Sequence, residues 1–418
     1  MECSEARGRG VSARAGFGAR GLAVALVAAG FAFAAPDAVA QQKGADQALE
    51  RVYRILAETP LIDGHNDLPW AIRQNKAAPH DVAAYDLRTR TPGHTDLERL
   101  RQGRVGAQFW SVYIPSSAVQ EGAARVQLEQ IDIARQILAR YPDHFELALS
   151  ASDIERVYGS GKIASLLGME GGHAIENSLG ALRAFYDLGV RYMTLTHSKN
   201  IDWADSGTDS VQHNGLTEFG KEVVREMNRL GMLVDLSHTS PATMHAALDV
   251  SEAPVIFSHS SARAVTDHPR NVPDDVLRRI PQNGGIVMVT FVPAFVSDKV
   301  RTHKRGSGPT PKATMEDVIK HIEHIRKIVG PDHIGLGGDF DGITSTVEGL
   351  GDVSTYPALL AELARRGWTD DELRKLAGEN LLRVMREAEA VARRLQRQRG
   401  PSLKTIEELD GFVRKPIS

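Results

Sequence analysis

The sequence is almost free of cysteine. Cys3 is the one cysteine among 418 residues, and it stands close to the start of the chain. A chain with a single thiol cannot form an internal disulfide, and the body of the protein has neither a thiolate nucleophile nor a thiolate metal ligand. The stability of the fold must therefore come from its apolar core.

The chain also lacks an excess of charge of either sign. It carries 50 Lys and Arg against 53 Asp and Glu, for a net charge of −3. Charges of both signs are interspersed, so we predict no nucleic-acid partner. Hydrophobic residues make up 42% of the chain and charged residues 25%, which is typical of a globular protein with a large core.

Long apolar runs are missing except near the N-terminus. There, four arginines precede an uncharged run at residues 21–35, and Ala38, Val39 and Ala40 form a small-x-small cleavage site. The run is too short to span a bilayer comfortably. We expect residues 1–40 to be a signal peptide and the mature chain to have no stable membrane anchor. It would be secreted, or periplasmic if the source is bacterial.

Short apolar runs recur along the rest of the chain, with helical patterns between them. Eight of them lack the polar–apolar alternation of a sheet with one wet face, which indicates buried parallel strands. They lie at 61–64, 107–114, 163–168, 192–196, 232–236, 255–257, 285–291 and 334–336. Eight such strands with helices between them over about 300 residues predict an α/β fold, a (β/α)8 TIM-like barrel.

Several helices have recognisable start signals. Ser240 precedes Pro241 as a hydroxyl cap before a proline, and residues 369–372 form a capping box. Residues 216–230 and 315–329 are amphipathic. The irregular stretches 69–95 and 297–313 are predicted to be loops over one mouth of the barrel. We expect a single domain at 41–400 and a polar C-terminal tail at 401–418.

Seven ionisable residues follow the predicted strands. In a barrel the carboxyl ends of all strands open on one face, so these side chains should converge there. Taken singly, most of them are more typical of strand-end residues that bond the backbone or cap a turn, but together they indicate a metal site. They are His65, Asp67, Glu170, His197, His238, His259 and Asp339.

Nitrogen and oxygen ligands without sulfur suit zinc or another first-row divalent ion. A carboxylate between two histidine-bearing groups can bridge two such ions, which together activate a water and polarise a carbonyl. The pattern therefore predicts hydrolysis. His173, His213 and His268 have no strand-end position, and we interpret them as surface or supporting residues.

Six segments between residue 60 and about residue 390 carry a family resemblance. They read DGHNDLPW, GMEGGH, RYMTLTHSKNIDWAD, LVDLSHTS, VIFSHSSARAVTDHPRNVPDD and IGLGGDFDG. Through them the chain resembles the membrane dipeptidase (renal dipeptidase) family of zinc peptidases, within the amidohydrolase-like barrels. The resemblance implies a barrel of the metal-dependent hydrolase type with two Zn²⁺ ions per chain. One is held by His65 and Asp67, the other by His238 and His259, and Glu170 bridges them.

The same resemblance assigns roles to the substrate side of the site. It implies that His197 contacts the scissile carbonyl, that Arg270 binds the substrate carboxylate and that Asp339 carries a proton. Glu170, His197 and Asp339 are then the catalytic residues. The implied reaction is hydrolysis of dipeptides to free amino acids through a metal-bridging hydroxide. Without the resemblance, Arg270 is better interpreted as a surface arginine paired with a nearby aspartate.

Two other functions stay open at this point. One is an amidohydrolase-type barrel enzyme that acts on another small amide, lactam or lactone. The other is a catalytically silent binding protein with the same barrel. The lipid anchor and covalent dimer of vertebrate relatives cannot be transferred, since the mature chain has no cysteine and no apolar tail. A non-covalent homodimer is left as an alternative.

Overall fold

The computed structural model describes residues 36–304, 306 and 308–412, with side chains from residue 47 onward. The predicted signal peptide therefore lies outside the described residues, except for backbone at 36–40. The chain divides into the units Met1–Lys43 and Gly44–Ser418. All features below belong to the second unit, apart from the start of the first helix.

Nine strands form one parallel sheet in the described part of the chain. They are β1 (Leu61–Asn66), β2 (Val105–Ser111), β3 (Phe145–Leu147), β4 (Ile163–Glu170), β5 (Val190–Thr194), β6 (Leu233–Asp235), β7 (Ile256–Phe257), β8 (Ile286–Val289) and β9 (Ile334–Leu336). The strands lie side by side in the order β2-β1-β9-β8-β7-β6-β5-β4-β3, and β2 also pairs with β4. That last pairing closes eight strands into a barrel, so the predicted (β/α)8 fold is confirmed.

Each of the eight predicted strands overlaps one strand of the barrel. The sequence prediction missed β3, which pairs with the first residues of β4 while β5 pairs with its last residues. Only Phe145 of β3 is buried, and Glu146 and Leu147 are half-buried. A three-residue strand with one buried side chain has too little apolar pattern to be recognised.

Helices alternate with the strands and cover the barrel. They are α1 (Pro36–Glu58), α2 (Leu68–Arg73), α3 (Leu97–Gln102), α4 (Ala123–Arg140), α5 (Ala151–Gly159), α6 (Leu179–Asp187), α7 (Glu218–Leu230), α8 (Pro241–Val250), α9 (Asp274–Leu277), α10 (Ile280–Asn283), α11 (Pro293–Val296), α12 (Asp298–Arg301), α13 (Met315–Val329), α14 (Tyr356–Arg365), α15 (Asp370–Arg374), α16 (Asn380–Gln398) and α17 (Ile406–Asp410). Short 3₁₀ turns lie at Ser116–Gln120, Gly172–Ile175, Pro331–His333 and Val353–Thr355, and a π-helical turn lies at Lys375–Glu379. In the described part of the chain, no helix is long and apolar enough to cross a membrane.

The predicted helix starts are confirmed by their hydrogen bonds. Ser240 accepts the backbone N–H of Thr243 at the start of α8, and Thr369 and Glu372 form the capping box of α15. The predicted helix 315–329 is α13 with the same bounds. Both stretches predicted as loops contain short helices, since α2 occupies the start of the first and α12 the start of the second. One turn of helix carries too few apolar positions to show a helical period.

The strands place alternate side chains in two apolar clusters. In β8, Ile286 and Met288 belong to one cluster, whereas Val287 and Val289 belong to the other. The second cluster also contains the buried face of α13, so it lies between the barrel and its helices. The first fills the barrel interior, because successive residues of a strand point to opposite faces, and it also includes apolar residues of α5 and α16.

The segment predicted as a polar tail packs against α7. Ile406 of α17 is fully buried, and Asp410 accepts the backbone N–H of Phe219. Glu226 of α7 accepts the backbone N–H of Ser402. Residues 401–412 therefore form part of the folded unit, while residues 413–418 lie outside the described residues.

Candidate metal centre

The barrel brings all seven predicted strand-end residues to one mouth. His65 is the penultimate residue of β1 and Glu170 is the last residue of β4, and the other five residues lie in the turns that follow their strands. Three overlapping groups of ligand atoms form there, each with its atoms within 4.8 Å of one another. The groups are His65, Glu170 and His259; Glu170, His197 and His238; and His65, Asp67 and Asp339.

Glu170 stands at the centre of this cluster. Its Oε1 lies 2.8 Å from His238 Nε2 and 3.3 Å from His259 Nε2. Its Oε2 lies 3.5 Å from His65 Nε2, which in turn lies 3.2 Å from Asp67 Oδ2. The two carboxylate oxygens therefore face two different sets of side chains.

A tyrosine orients the ring of His65. Tyr192 Oη lies 2.8 Å from His65 Nδ1 and donates to the carbonyl oxygen of Gly64 at 3.2 Å. Because the hydroxyl has one proton to donate, we assign the Nδ1 proton to His65, which leaves a lone pair on Nε2. Room for the tyrosine comes from Gly168, where a Cβ would lie 2.0 Å from the Tyr192 ring.

A serine orients His259 in the same way. Ser258 Oγ donates to Asp235 Oδ2 at 2.6 Å and lies 2.8 Å from His259 Nδ1. The hydroxyl therefore accepts from Nδ1, and the lone pair of His259 Nε2 points at Glu170. Burial lowers the pKa of His259 and of His238 well below the ordinary value, so both rings are neutral.

These residues fit divalent cations. The Nε2 atoms of His259 and His65 face the anionic Glu170 carboxylate at 3.3 and 3.5 Å, and a cation between the groups would stabilise this arrangement. His65 Nε2 and Asp67 Oδ1 are buried and have no hydrogen-bond partner within the described residues. Histidine rings held by hydroxyl and carboxylate partners are typical of metal sites.

A cavity of about 340 Å³ opens over the cluster. Apolar and aromatic side chains form part of its wall, namely Trp70, Tyr113, Val292, Phe295 and Ile343. Tyr113 also packs against His197, with ring centroids 4.8 Å apart. His197 Nε2 lies 3.8 Å from Glu170 Oε1, and burial lowers the pKa of His197. This cavity has the size and lining of a small-molecule site.

Arg270 lines the cavity and is only 3% exposed. Its guanidinium donates to Ser260 Oγ at 3.4 Å and to the carbonyl oxygen of His259 at 3.3 Å. The alternative pairing with an aspartate of α9 does not occur, because Asp274 bonds His324 and Asp275 bonds His245. Burial lowers the pKa of Arg270 to about 10, so it remains a cation at neutral pH.

Asp339 and His238 both have left-handed backbone conformations. Their φ angles are 62° and 68°, which are uncommon for residues other than glycine and are often found at functional sites. Asp339 Oδ1 lies 3.9 Å from His65 Nε2. Burial raises the pKa of Asp339 well above its ordinary range, which favours the protonated form of this carboxyl group.

The three histidines interpreted from the sequence as surface or supporting residues occupy different surroundings. His173 is 6% exposed, so it is a buried residue beside the centre rather than a surface residue. His213 bonds the carbonyl oxygen of Ile201 through Nε2. His268 accepts the backbone N–H of Arg270. Sequence reasoning missed Tyr192 and Asp235, for which the available signal was a polar side chain inside an apolar strand.

The sequence matches a family model over most of its length. The model describes the membrane dipeptidases, peptidase family M19, and matches residues 49–399. The chain belongs to this family. The predicted resemblance is therefore confirmed, and the protein is a metallodipeptidase.

Individual members of the family agree with this assignment. The chain is 45% identical over 362 residues to dipeptidase verJ of Clonostachys rogersoniana, covering 84% of this chain and 90% of the relative. A Rhodobacter sphaeroides metallopeptidase, solved with a phosphinate mimic of the dipeptide L-Ala-D-Ala, is 28% identical. Its TM-score is 0.70, over 79% of this chain and 99% of that one.

A further solved structure supports the fold alone. The probable dipeptidase PvdM of Pseudomonas aeruginosa is 24% identical, with a TM-score of 0.73 over 83% of this chain and 100% of that one. At this identity the likeness concerns the barrel and its helices.

Proposed function

We propose that this metallodipeptidase cleaves dipeptides to free amino acids with two zinc ions bridged by Glu170. The observation that carries the proposal is the division of the Glu170 carboxylate, whose Oε2 faces His65 and whose Oε1 faces His238 and His259. One ion would take His65, Asp67 and Glu170, and the other His238, His259 and Glu170. The ligand groups described above share Glu170. We therefore assign each histidine to one ion according to the Glu170 oxygen that it faces.

Bound divalent ions supply an activated water and polarise the scissile carbonyl. The chain's own residues do the rest. His197, neutral and buried beside Glu170, donates an N–H to the carbonyl oxygen as negative charge develops there. Asp339 takes a proton from the attacking water and passes it to the leaving amine, a role that suits a carboxyl group of raised pKa.

Arg270 limits the substrate to dipeptides in this proposal. A dipeptide has its free carboxylate one residue beyond the scissile bond, and a buried cation at the cavity wall can bind it there. The planar guanidinium can hold a carboxylate by two parallel bonds. We further propose that the N-terminal segment 1–40 directs export, to the periplasm in a bacterium, and that the mature chain acts without a membrane anchor.

The decisive experiment combines metal content with substrate range. Mature protein is refolded without metal, titrated with zinc and analysed for bound metal, and we expect about two ions per chain. The saturated protein is then tested on free dipeptides and on the same dipeptides with an acylated N-terminus or an amidated C-terminus.

Release of amino acids from free dipeptides alone is the expected result. One ion per chain at full activity would refute the Glu170 bridge. Equal turnover of the blocked substrates would favour the amidohydrolase alternative, and zinc binding without turnover would favour a binding protein.

A further inference from the structure

The guanidinium of Arg270 is held loosely by its own hydrogen bonds. Its bonds to Ser260 and to the His259 carbonyl oxygen are 3.4 and 3.3 Å long, beyond the usual range for N–H···O. Its Nε has no hydrogen-bond partner within the described residues. Other contacts must therefore determine where this side chain lies in the cavity.

His268 contacts Arg270 by two routes. Its Nδ1 accepts the backbone N–H of Arg270 at 3.1 Å, which fixes the start of the arginine side chain. Its ring stacks on Phe295, with centroids 4.3 Å apart and planes inclined by 29°. Arg270 Cζ lies 5.3 Å from the centroid of the same Phe295 ring. His268 therefore fixes both the backbone of Arg270 and the aromatic surface that its guanidinium contacts.

The loop around His268 is fixed to the barrel by further bonds. Asn271 Nδ2 donates to the carbonyl oxygens of Thr266 and of Phe295, at 2.9 and 2.7 Å. Arg263 donates to the carbonyl oxygen of Pro269 at 2.7 Å. Asparagine or aspartate could accept an N–H two residues further along the chain. Histidine at this position adds a ring large enough to reach Phe295.

We propose that His268 is a positioning residue that holds Arg270 at the distance where its guanidinium binds the substrate carboxylate. The proposal rests on the carboxylate-binding role of Arg270 proposed above. Burial keeps the ring neutral, lowering the pKa of His268 to about 4, so Nδ1 retains its lone pair at neutral pH. A role through Arg270 predicts a change in substrate binding rather than in the chemical step.

Two variants separate the contacts of His268. His268→Phe keeps an aromatic ring against Phe295 and removes the acceptor, whereas His268→Asn keeps an acceptor and removes the ring. Since small displacements of a binding group can cost up to about 100-fold, we expect His268→Phe to raise KM for a free dipeptide about tenfold. We expect kcat of this variant to change less than about twofold. His268→Asn, which keeps an acceptor, should raise KM less than His268→Phe does.

A double-mutant cycle with Arg270→Met tests whether the effect passes through the arginine. His268→Phe should leave KM unchanged in the Arg270→Met background. The matched control is His333→Phe, which loses one bond of Nδ1 to the Gly285 carbonyl oxygen at the opposite end of the barrel and should keep the wild-type KM. Thermal midpoints measured for all variants report any general loss of stability.

The outcomes distinguish this inference from the proposed function. A KM effect of His268→Phe that vanishes in the Arg270→Met background supports the inference. The same effect in both backgrounds, or a fall in kcat alone, overturns it and leaves the dipeptidase proposal intact. A wild-type enzyme that processes free and amidated dipeptides equally removes the role of Arg270, and this inference falls with it.

Discussion

Tyr192 places its hydroxyl 2.8 Å from His65 Nδ1, although 127 residues separate the two in the sequence. Because the bond selects the tautomer of His65, Tyr192→Phe should weaken metal binding. We expect zinc affinity to fall roughly 10- to 100-fold, as for other residues that orient metal ligands. Competition with a chelator of known affinity measures the change.

The control for that variant is Tyr158→Phe. Tyr158 donates one bond to the carbonyl oxygen of Leu56, away from the metal centre. The Tyr158→Phe variant should bind zinc with the affinity of the wild type. Equal zinc affinities for both tyrosine variants would show that the Tyr192 hydroxyl does not orient His65.

Asp339→Asn should retain both metals and lose turnover. The amide preserves the shape of the side chain but cannot carry a proton, and general acid–base catalysis typically contributes about 10²- to 10⁴-fold. The expected result is a loss of kcat in that range with about two zinc ions still bound. Near-normal turnover would remove Asp339 from proton transfer, and loss of metal would make it a ligand.

Arg270→Met should reduce kcat/KM for a free dipeptide sharply. Hydrogen bonds to charged groups contribute roughly 1.5 to 3 kcal/mol, which corresponds to a loss of about ten- to a few-hundred-fold. The same dipeptide with an amidated C-terminus should change little. Arg270→Lys serves as the control, because it keeps the charge without the planar fork and should recover only part of the activity.

His321 predicts how stability depends on pH. Burial lowers the pKa of His321 from 6.5 to about 4, and its ring bonds the N–H of Ala262 and the carbonyl oxygen of Val296. Well above pH 6.5, His321 carries no extra proton in either the folded or the unfolded chain. As pH falls through this window, the unfolded chain binds a proton that the folded chain does not, so the free energy of unfolding should decrease by roughly 3 kcal/mol in total.

Denaturant unfolding of the wild type and of His321→Gln at several pH values checks this prediction. The difference in stability between the two proteins should shrink as the solution is acidified, because only the wild type loses the contribution of His321. Titrating groups that both proteins share cancel in this difference. The control variant His80→Gln replaces a histidine at an exposed position, outside the core. A constant difference for His321→Gln would contradict the prediction.

The sequence by itself determined the barrel and the set of candidate ligands. Buried parallel strands are continuous apolar runs, so eight of the nine could be recognised, and the rule that their carboxyl ends share one face placed His65 and Glu170 together. The family resemblance then supplied the roles of residues such as Arg270. Both kinds of information are local, because they depend on residues close together in the chain.

The tertiary structure decided how the side chains of the site contact one another. Which oxygen of Glu170 faces which histidine depends on side-chain conformations that no local pattern encodes. Tyr192 reaches His65 across the barrel interior, and its position depends on the space left by Gly168. The sequence predicts only a surface or supporting role for His268, whereas its bond to Arg270 and its contact with Phe295 depend on the tertiary structure. Such contacts join distant strands and loops, and they exist only after the barrel has closed.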